Sequence, residues 1–232
     1  MNPAHIALSS ARIPFIAVAI CRTSHGNLHT GVVFRRANGD IRFFHQAWDH
    51  ITRDDSLRQG SEEMGGPFLC IVPPVEDDRA IAIAEFWEFV ASRGEQIGYA
   101  LRDDPDALFD PVTGTLALPN GRGLSCSTFV LVLFRSVRFP YIDTTDWPTG
   151  RPGDPEAQAA LVGSLERTCP DLNHVEGVRR EIGCERVRPE EVSGAALYPM
   201  LPVQHPAVED AGFFVRGSVH MRGLGPPPHW ME

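Results

Sequence analysis

Two short segments carry residue types that can do chemistry together. Leu28-His29-Thr30-Gly31-Val32-Val33-Phe34 puts a His at the start of a strand-like run. Gly123-Leu124-Ser125-Cys126-Ser127-Thr128-Phe129-Val130 puts a Cys just before an apolar, helix-like run from Thr128 to Val137. A free thiol titrates near about 8.5, and a helix N-terminus or a neighbouring imidazole lowers that value and supplies thiolate at neutral pH. The unpaired N–H groups of the helix start point at Cys126, where they can also bind the oxyanion of a tetrahedral intermediate. His29 is the base that holds and later returns the proton. Gly121 and Gly123 let the backbone approach a substrate closely, and Gly123 and Ser127 are expected to line the substrate or oxyanion site.

A third residue, His45, enters through the hairpin that must position His29. Leu28–Arg36 and Ile41–Ala47 flank Ala37-Asn38-Gly39-Asp40, a strong hairpin signal. A two-residue turn at Asn38-Gly39 pairs residue 32 with residue 45 and leaves the two His on opposite faces. A three-residue loop, Ala37-Asn38-Gly39 with Gly39 left-handed, pairs Gly31 with His45 instead. His29 and His45 are then diagonal neighbours on one face, and Gly31 leaves space beside them. His45 can fix the His29 tautomer through its second ring nitrogen. The chemistry selects the three-residue register.

Composition bounds what such a site can serve. The chain has 232 residues with 43% hydrophobic and 22% charged, enough to bury a full core as one domain. A formal net charge of -9 argues against nucleic acid or an anionic membrane as the main partner. No apolar run approaches the roughly 18 residues of a membrane helix, and Ile13 to Ile20, interrupted by Pro14, reads as a strand rather than a signal peptide. The five Cys form an odd set without a CxxC pair, poor material for a disulfide framework or structural zinc. A reducing, cytoplasmic home is expected, and neither a cofactor nor a metal. All 21 basic residues are Arg. A GC-rich coding bias explains that, and avoidance of Lys modification by a ubiquitin-like system is the functional alternative.

The remaining elements follow from pattern. Ile13–Cys21 and Phe68–Val72 read as strands. Asp49–Pro67 is polar and Gly-containing and reads as a loop or flap. Ile81, Ala84, Phe86, Trp87 and Val90 predict an amphipathic helix capped by Asp77 or Asp78 and ending near Gly94. Tyr99 to Gly123 is a long turn-rich connection. Glu156–Thr168 and Leu172–Ile182 read as helices, Phe213–Val219 as a strand, and Gly223–Glu232 as irregular. A single domain of residues 1–232 is expected, with a core at about 13–140 and an extension of unassigned role at 150–232.

His29-Thr-Gly-Val-Val-Phe, the Asn-Gly turn and Phe43-Phe44-His45-Gln-Ala resemble the catalytic His strand and the following strand of NlpC-type cell-wall peptidases. Leu124-Ser-Cys126-Ser-Thr-Phe-Val resembles their Cys helix. The Cys follows the His here, which is the order of the circularly permuted papain-like group that includes YiiX-like proteins, lecithin:retinol acyltransferase-like proteins and PPPDE-type isopeptidases. The resemblance covers roughly residues 13 to 137. It implies an α+β domain in which an antiparallel sheet packs on the Cys-bearing helix, with catalytic Cys126, His29 and His45. It also implies that Tyr99, before the Cys helix, lines the oxyanion site.

The function expected is a cofactor-free cysteine hydrolase that cleaves a peptide or isopeptide bond through an acyl-enzyme. Its partner is a peptide or protein substrate, with a ubiquitin-like modifier among the candidates. Two alternatives stand beside it: acyl transfer or thioester hydrolysis on a lipid-like acyl group, and a non-catalytic binding protein of the same fold. A greasy tunnel beside Cys126 favours the first alternative and an open groove favours peptide. A Cys126 buried away from His29 favours the second.

Overall fold

The computed structural model describes residues 6–7, 13–118 and 123–223. Its centre is an antiparallel six-stranded sheet built from β1 (Ile6–Ala7), β2 (Ile16–Arg22), β3 (Leu28–Arg35), β4 (Ile41–Trp48), β5 (Ile51–Ser56) and β6 (Leu69–Ile71). The strand order is β1-β6-β2-β3-β4-β5, and every neighbouring pair is antiparallel. α1 (Leu57–Met64) lies between β5 and β6. α2 (Asp77–Arg93), the two-residue pair β7 (Leu108–Phe109) and β8 (Leu116–Ala117), and α3 (Cys126–Ser136) follow. Then come β9 (Ile142–Asp143), α4 (Asp154–Thr168), α5 (Leu172–Arg179), α6 (Pro189–Ala195), β10 (Val203–Gln204) and α7 (Ala207–Gly223).

The period-2 alternation of the central strands sorts their side chains into two cores. Val18 and Ile20, with Val32, Phe34 and Phe44, face α2, α3, α6 and α7 and form the large core with Trp87, Phe129, Leu133, Val192 and Val215. Phe44 meets Phe129 of α3 edge-on at 4.9 Å. Ala17, Ala19, Cys21, Val33 and Phe43 point the other way, onto Phe68 and Cys70. The expected arrangement, an antiparallel sheet packed on the Cys-bearing helix within an α+β chain, is present.

The hairpin takes the three-residue form. Arg36 donates to the Asp40 carbonyl at 2.8 Å, Gly39 has φ +91°, and the ladder runs from Arg35↔Ile41 to Val32↔Phe44. That register continues to Gly31 opposite His45. A Cβ on Gly31 would lie 2.6 Å from the His45 Cβ, so only glycine fits there.

Three expectations are corrected. Asp49–Pro67 is not a loop or flap: it holds β5 and α1. β5 reads Ile-Thr-Arg-Asp-Asp-Ser because it is the edge strand, only partly buried and with no apolar face to show. α1 starts at a capping box, Ser56 with Gln59, and stops at Gly65 with φ +80°. The second correction concerns α2, whose N-cap is Glu76, without a side-chain cap bond; Asp77 and Asp78 occupy its first turn and complement the helix dipole.

The third concerns Phe213–Val219, which lies inside α7 rather than in a strand. Its buried residues Val208, Ala211, Val215 and Val219 recur at three and four, while Phe213 is 80% exposed. Phe213, Phe214 and Val215 suggest a strand by residue type, and the period decides otherwise. The last third is also no appendage, since α6 and α7 supply Val192, Ala195, Val208, Val215 and Val219 to the large core. Leu224 to Glu232 of the expected irregular tail, and Gly121, lie outside the described residues. Among the described residues no helix is long and apolar enough to cross a membrane.

Candidate active site

Cys126 owes its place to a cap and to a missing side chain. Ser125 is the N-cap of α3: its hydroxyl accepts from the Thr128 N–H at 3.2 Å, and the Thr128 hydroxyl accepts from the Ser125 N–H at 2.8 Å. This box makes Cys126 the first helical residue and leaves the N–H groups of Cys126 and Ser127 outside the cap. Just upstream, Leu124 donates to the Gly98 carbonyl at 2.9 Å. Any Cβ on Gly123 would collide with that same carbonyl. Gly123 is buried and lets the Cys segment lie against Gly98-Tyr99, so its use is structural rather than in admitting substrate.

The sulfur sits where two strands part. Alternate β3 amides face β4, and the β3–β4 ladder ends at Val32↔Phe44. Thr30, next in that series, has an N–H with no partner across the ladder, and it faces the Cys126 sulfur. The Thr30 side chain is anchored by the Ala19 carbonyl at 2.9 Å and by Ser193 of α6 at 3.1 Å. His29 precedes Thr30 and lines the same cavity as Cys126. No hydrogen bond joins its ring to the sulfur in this resting arrangement.

The two His and an unforeseen acid form a chain across three adjacent strands. His29 Nε2 lies 2.8 Å from His45 Nδ1, and His45 Nε2 lies 3.5 Å from Asp55 Oδ2. Register explains it. Asp55 pairs with Phe43 and Arg53 with His45, so Asp55 is the diagonal neighbour of His45, as His45 is of His29. The stacked ring of Phe43, 4.2 Å from that of His45, completes the wall. A carboxylate only accepts, so His45 donates from Nε2 and its Nδ1 accepts from His29 Nε2–H. His29 Nδ1 is thereby left bare, in the form a base needs.

Burial sets the proton balance. It pushes the Cys126 thiol up, against the opposing pull of the Thr30 N–H, the Ser127 hydroxyl and N–H, and the Arg186 charge. His29 is held well below 6.5 by burial and then by the neighbouring His45. His45 is lowered by burial, partly offset by Asp55. Thiol and imidazole therefore both rest neutral. The expected thiolate at neutral pH is corrected on that ground: desolvation outweighs the donors around the sulfur.

Of the other expected residues, Tyr99 lines the cavity, and its phenol is pushed up by burial and then by the Cys126 charge. Tyr99 is fixed by its N–H, which donates to Asp49 at 2.9 Å. Ser127 is buried beside the sulfur. Cys21, Cys70, Cys169 and Cys184 are all buried, whereas Cys126 is partly open to the cavity. Among the described residues no cluster of three or more His, Cys, Asp or Glu could hold a metal ion.

Sequence reasoning missed Asp55 and Arg186. For Asp55 the available signal was the Ser56/Gln59 capping box, which marks a helix start and makes the preceding residues a strand. For Arg186 there was none, because a network of buried ions positions it. Arg186 Nη1 and Arg188 Nε both reach Asp154 Oδ1 at 2.9 Å. Arg151 spans Asp154 at 3.2 Å and Glu191 at 2.5 Å, and also donates to the Arg186 carbonyl at 2.5 Å.

The cavity beside Cys126 has a volume of about 1290 Å³ and runs between the β3–β4 end and the wall formed by α4, residues 186–190 and α7. No family model, curated protein or solved structure matches the chain, so its functional reading rests on this site.

Proposed function

We propose that this chain is a cysteine hydrolase of the permuted papain-like type, cleaving a peptide or isopeptide bond through an acyl-enzyme. The observation that carries the reading is the meeting, in one cavity, of a Cys at a helix start and a His whose far nitrogen is held by a second His. As the Cys126 sulfur attacks the carbonyl carbon, His29 Nδ1 takes the thiol proton. Because both groups rest neutral, transfer and attack are concerted, and substrate drives the deprotonation. The oxyanion is received by the N–H groups at the start of α3 and by the Tyr99 hydroxyl. His29 then passes its proton to the departing amine, and water, activated by the same nitrogen, hydrolyses the thioester and frees Cys126.

Peptide is favoured over a fatty acyl chain because the cavity is an open groove with arginines among its apolar lining residues, rather than an enclosed greasy tunnel. The test is a mass-spectrometric screen with electrophilic probes carrying peptide, ubiquitin-like and acyl recognition groups. A peptide or ubiquitin-like probe should add once, at Cys126, and adduct formation should be lost in His29→Ala. Addition by the acyl probe alone would overturn the amide assignment, and no addition by any probe would overturn the hydrolase.

A further inference from the structure

The molecule is acidic, with 30 Asp and Glu against 21 Arg, yet the cavity inverts that balance. Five arginines line it, Arg22, Arg167, Arg186, Arg188 and Arg216, against two carboxylates, Asp154 and Glu190. Both carboxylates are already committed. Asp154 is shared by Arg151, Arg186 and Arg188, and Glu190 is held by Arg216. Arg22, exposed at the end of β2, has no carboxylate partner among the described residues. Among those same residues Arg167 bonds only within α4, to the Gly163 carbonyl at 2.6 Å and the Ser164 hydroxyl at 2.9 Å. These two guanidinium groups come from different elements, the end of the interior strand β2 and the last turn of α4. A cleft with one sign of uncompensated charge concentrates ligands of the other sign, even on a molecule of opposite net charge.

We propose that the cavity binds an acidic peptide, with α4 and residues 186–190 as its specificity wall and with Arg22 and Arg167 pairing to Asp or Glu side chains that flank the scissile bond. The inference deepens the hydrolase reading and rests on it for the chemistry, though not for the binding. The guanidinium fork matches a carboxylate in two parallel hydrogen bonds, which a diffuse basic patch does not do. The volume of about 1290 Å³ exceeds the usual small-molecule range of roughly 300–1,000 Å³ and accommodates several residues of an extended chain. Arg186 stands on the same wall, close enough to Cys126 for its charge to oppose the upward pull of burial on the thiol.

The test is affinity selection, read by mass spectrometry, from an equimolar mixture of acidic, neutral and basic peptides of one length, on full-length protein carrying Cys126→Ala. Acidic peptides should be retained over basic ones, and the retention should weaken with added salt. Adding Arg22→Glu and Arg167→Glu should cut the affinity of a retained acidic peptide by roughly tenfold or more and raise that of its Lys-substituted counterpart. Both arginines are exposed, so the fold should survive; the milder Arg22→Gln, Arg167→Gln pair, with an unchanged melting curve, should show the loss without the gain. No charge preference, a preference for basic peptides, or acidic binding indifferent to both pairs of substitutions would overturn the inference. Probe labelling at Cys126 without acidic preference would overturn it and leave the hydrolase standing. Acidic binding without any Cys126 labelling would do the reverse.

Discussion

His29 Nε2 and His45 Nδ1 lie 2.8 Å apart, within the buried face of two strands whose pairing stops just short of them. That single contact decides which nitrogen of His29 can act. It commits Nε2 as a donor, leaves Nδ1 bare and able to accept a proton, and passes the demand for a fixed tautomer on to Asp55.

Asp55 should therefore be a positioning residue with a kinetic signature. Asp55→Asn keeps the shape but can offer an N–H to His45 Nε2, which favours the wrong tautomer down the chain. A kcat roughly tenfold or more lower, with KM little changed, is expected from steady-state kinetics on a substrate found by the probe screen. Asp55→Glu should recover part of the loss. An equal fall in stability and activity, without recovery by Glu, would mean that Asp55 serves only the fold.

Two glycines should be intolerant for different reasons. Gly31→Ala drives a methyl into His45 and Phe43, and should cost about 1–3 kcal/mol in denaturant unfolding along with most activity. Gly123→Ala puts its methyl 1.9 Å from the Gly98 carbonyl oxygen, closer than the 2.6 Å to His45 Cβ and 2.8 Å to the Phe44 carbonyl met at Gly31, so a larger loss of roughly 4 kcal/mol or more is expected. Gly26, with open space around its Cβ position but φ +84°, should lose much less on the same change. Comparable stability of all three variants would contradict the packing described.

Acid should destabilise the fold early. His29 and His45 both titrate below 6.5 when folded, so the unfolded chain binds more protons once the pH drops below about that value. Stability should be level above it and fall as the pH goes from about 6.5 to about 5, well before carboxylates titrate. The melting temperature across that window should drop in the wild type and drop less in His29→Gln. A flat profile in the wild type would count against two neutral buried imidazoles.

The part of the site legible in the sequence was the part that local rules determine. The Ala37-Asn38-Gly39 loop and the parity of two His positions were enough to place Gly31 against His45. A Ser-Cys-Ser-Thr segment before an apolar run was enough to place Cys126 at a helix start. Asp55 escaped because an edge strand needs no apolar alternation, so Ile51–Ser56 offered no period to read. The arginine wall escaped for another reason. Arg186 and Arg188 are aimed by Asp154, more than thirty residues earlier, and that partnership exists only once α4 and α6 have packed. The thiol's upward shift was likewise invisible, since the motif names the donors near the sulfur but not the depth of burial around it.

Limited iodoacetamide labelling followed by peptide mapping addresses the central claim, that Cys126 is the nucleophile and His29 its base. Position makes Cys126 the first of the five thiols to react, because the other four are buried. Its rate should rise with pH, without the neutral-pH plateau of a preformed thiolate, since burial holds the thiol up. His29→Ala should slow labelling at neutral pH, where the lost imidazole is the proton acceptor, whereas His25→Ala should change little. Equal labelling of several thiols, or a Cys126 rate indifferent to the loss of His29, would contradict the account.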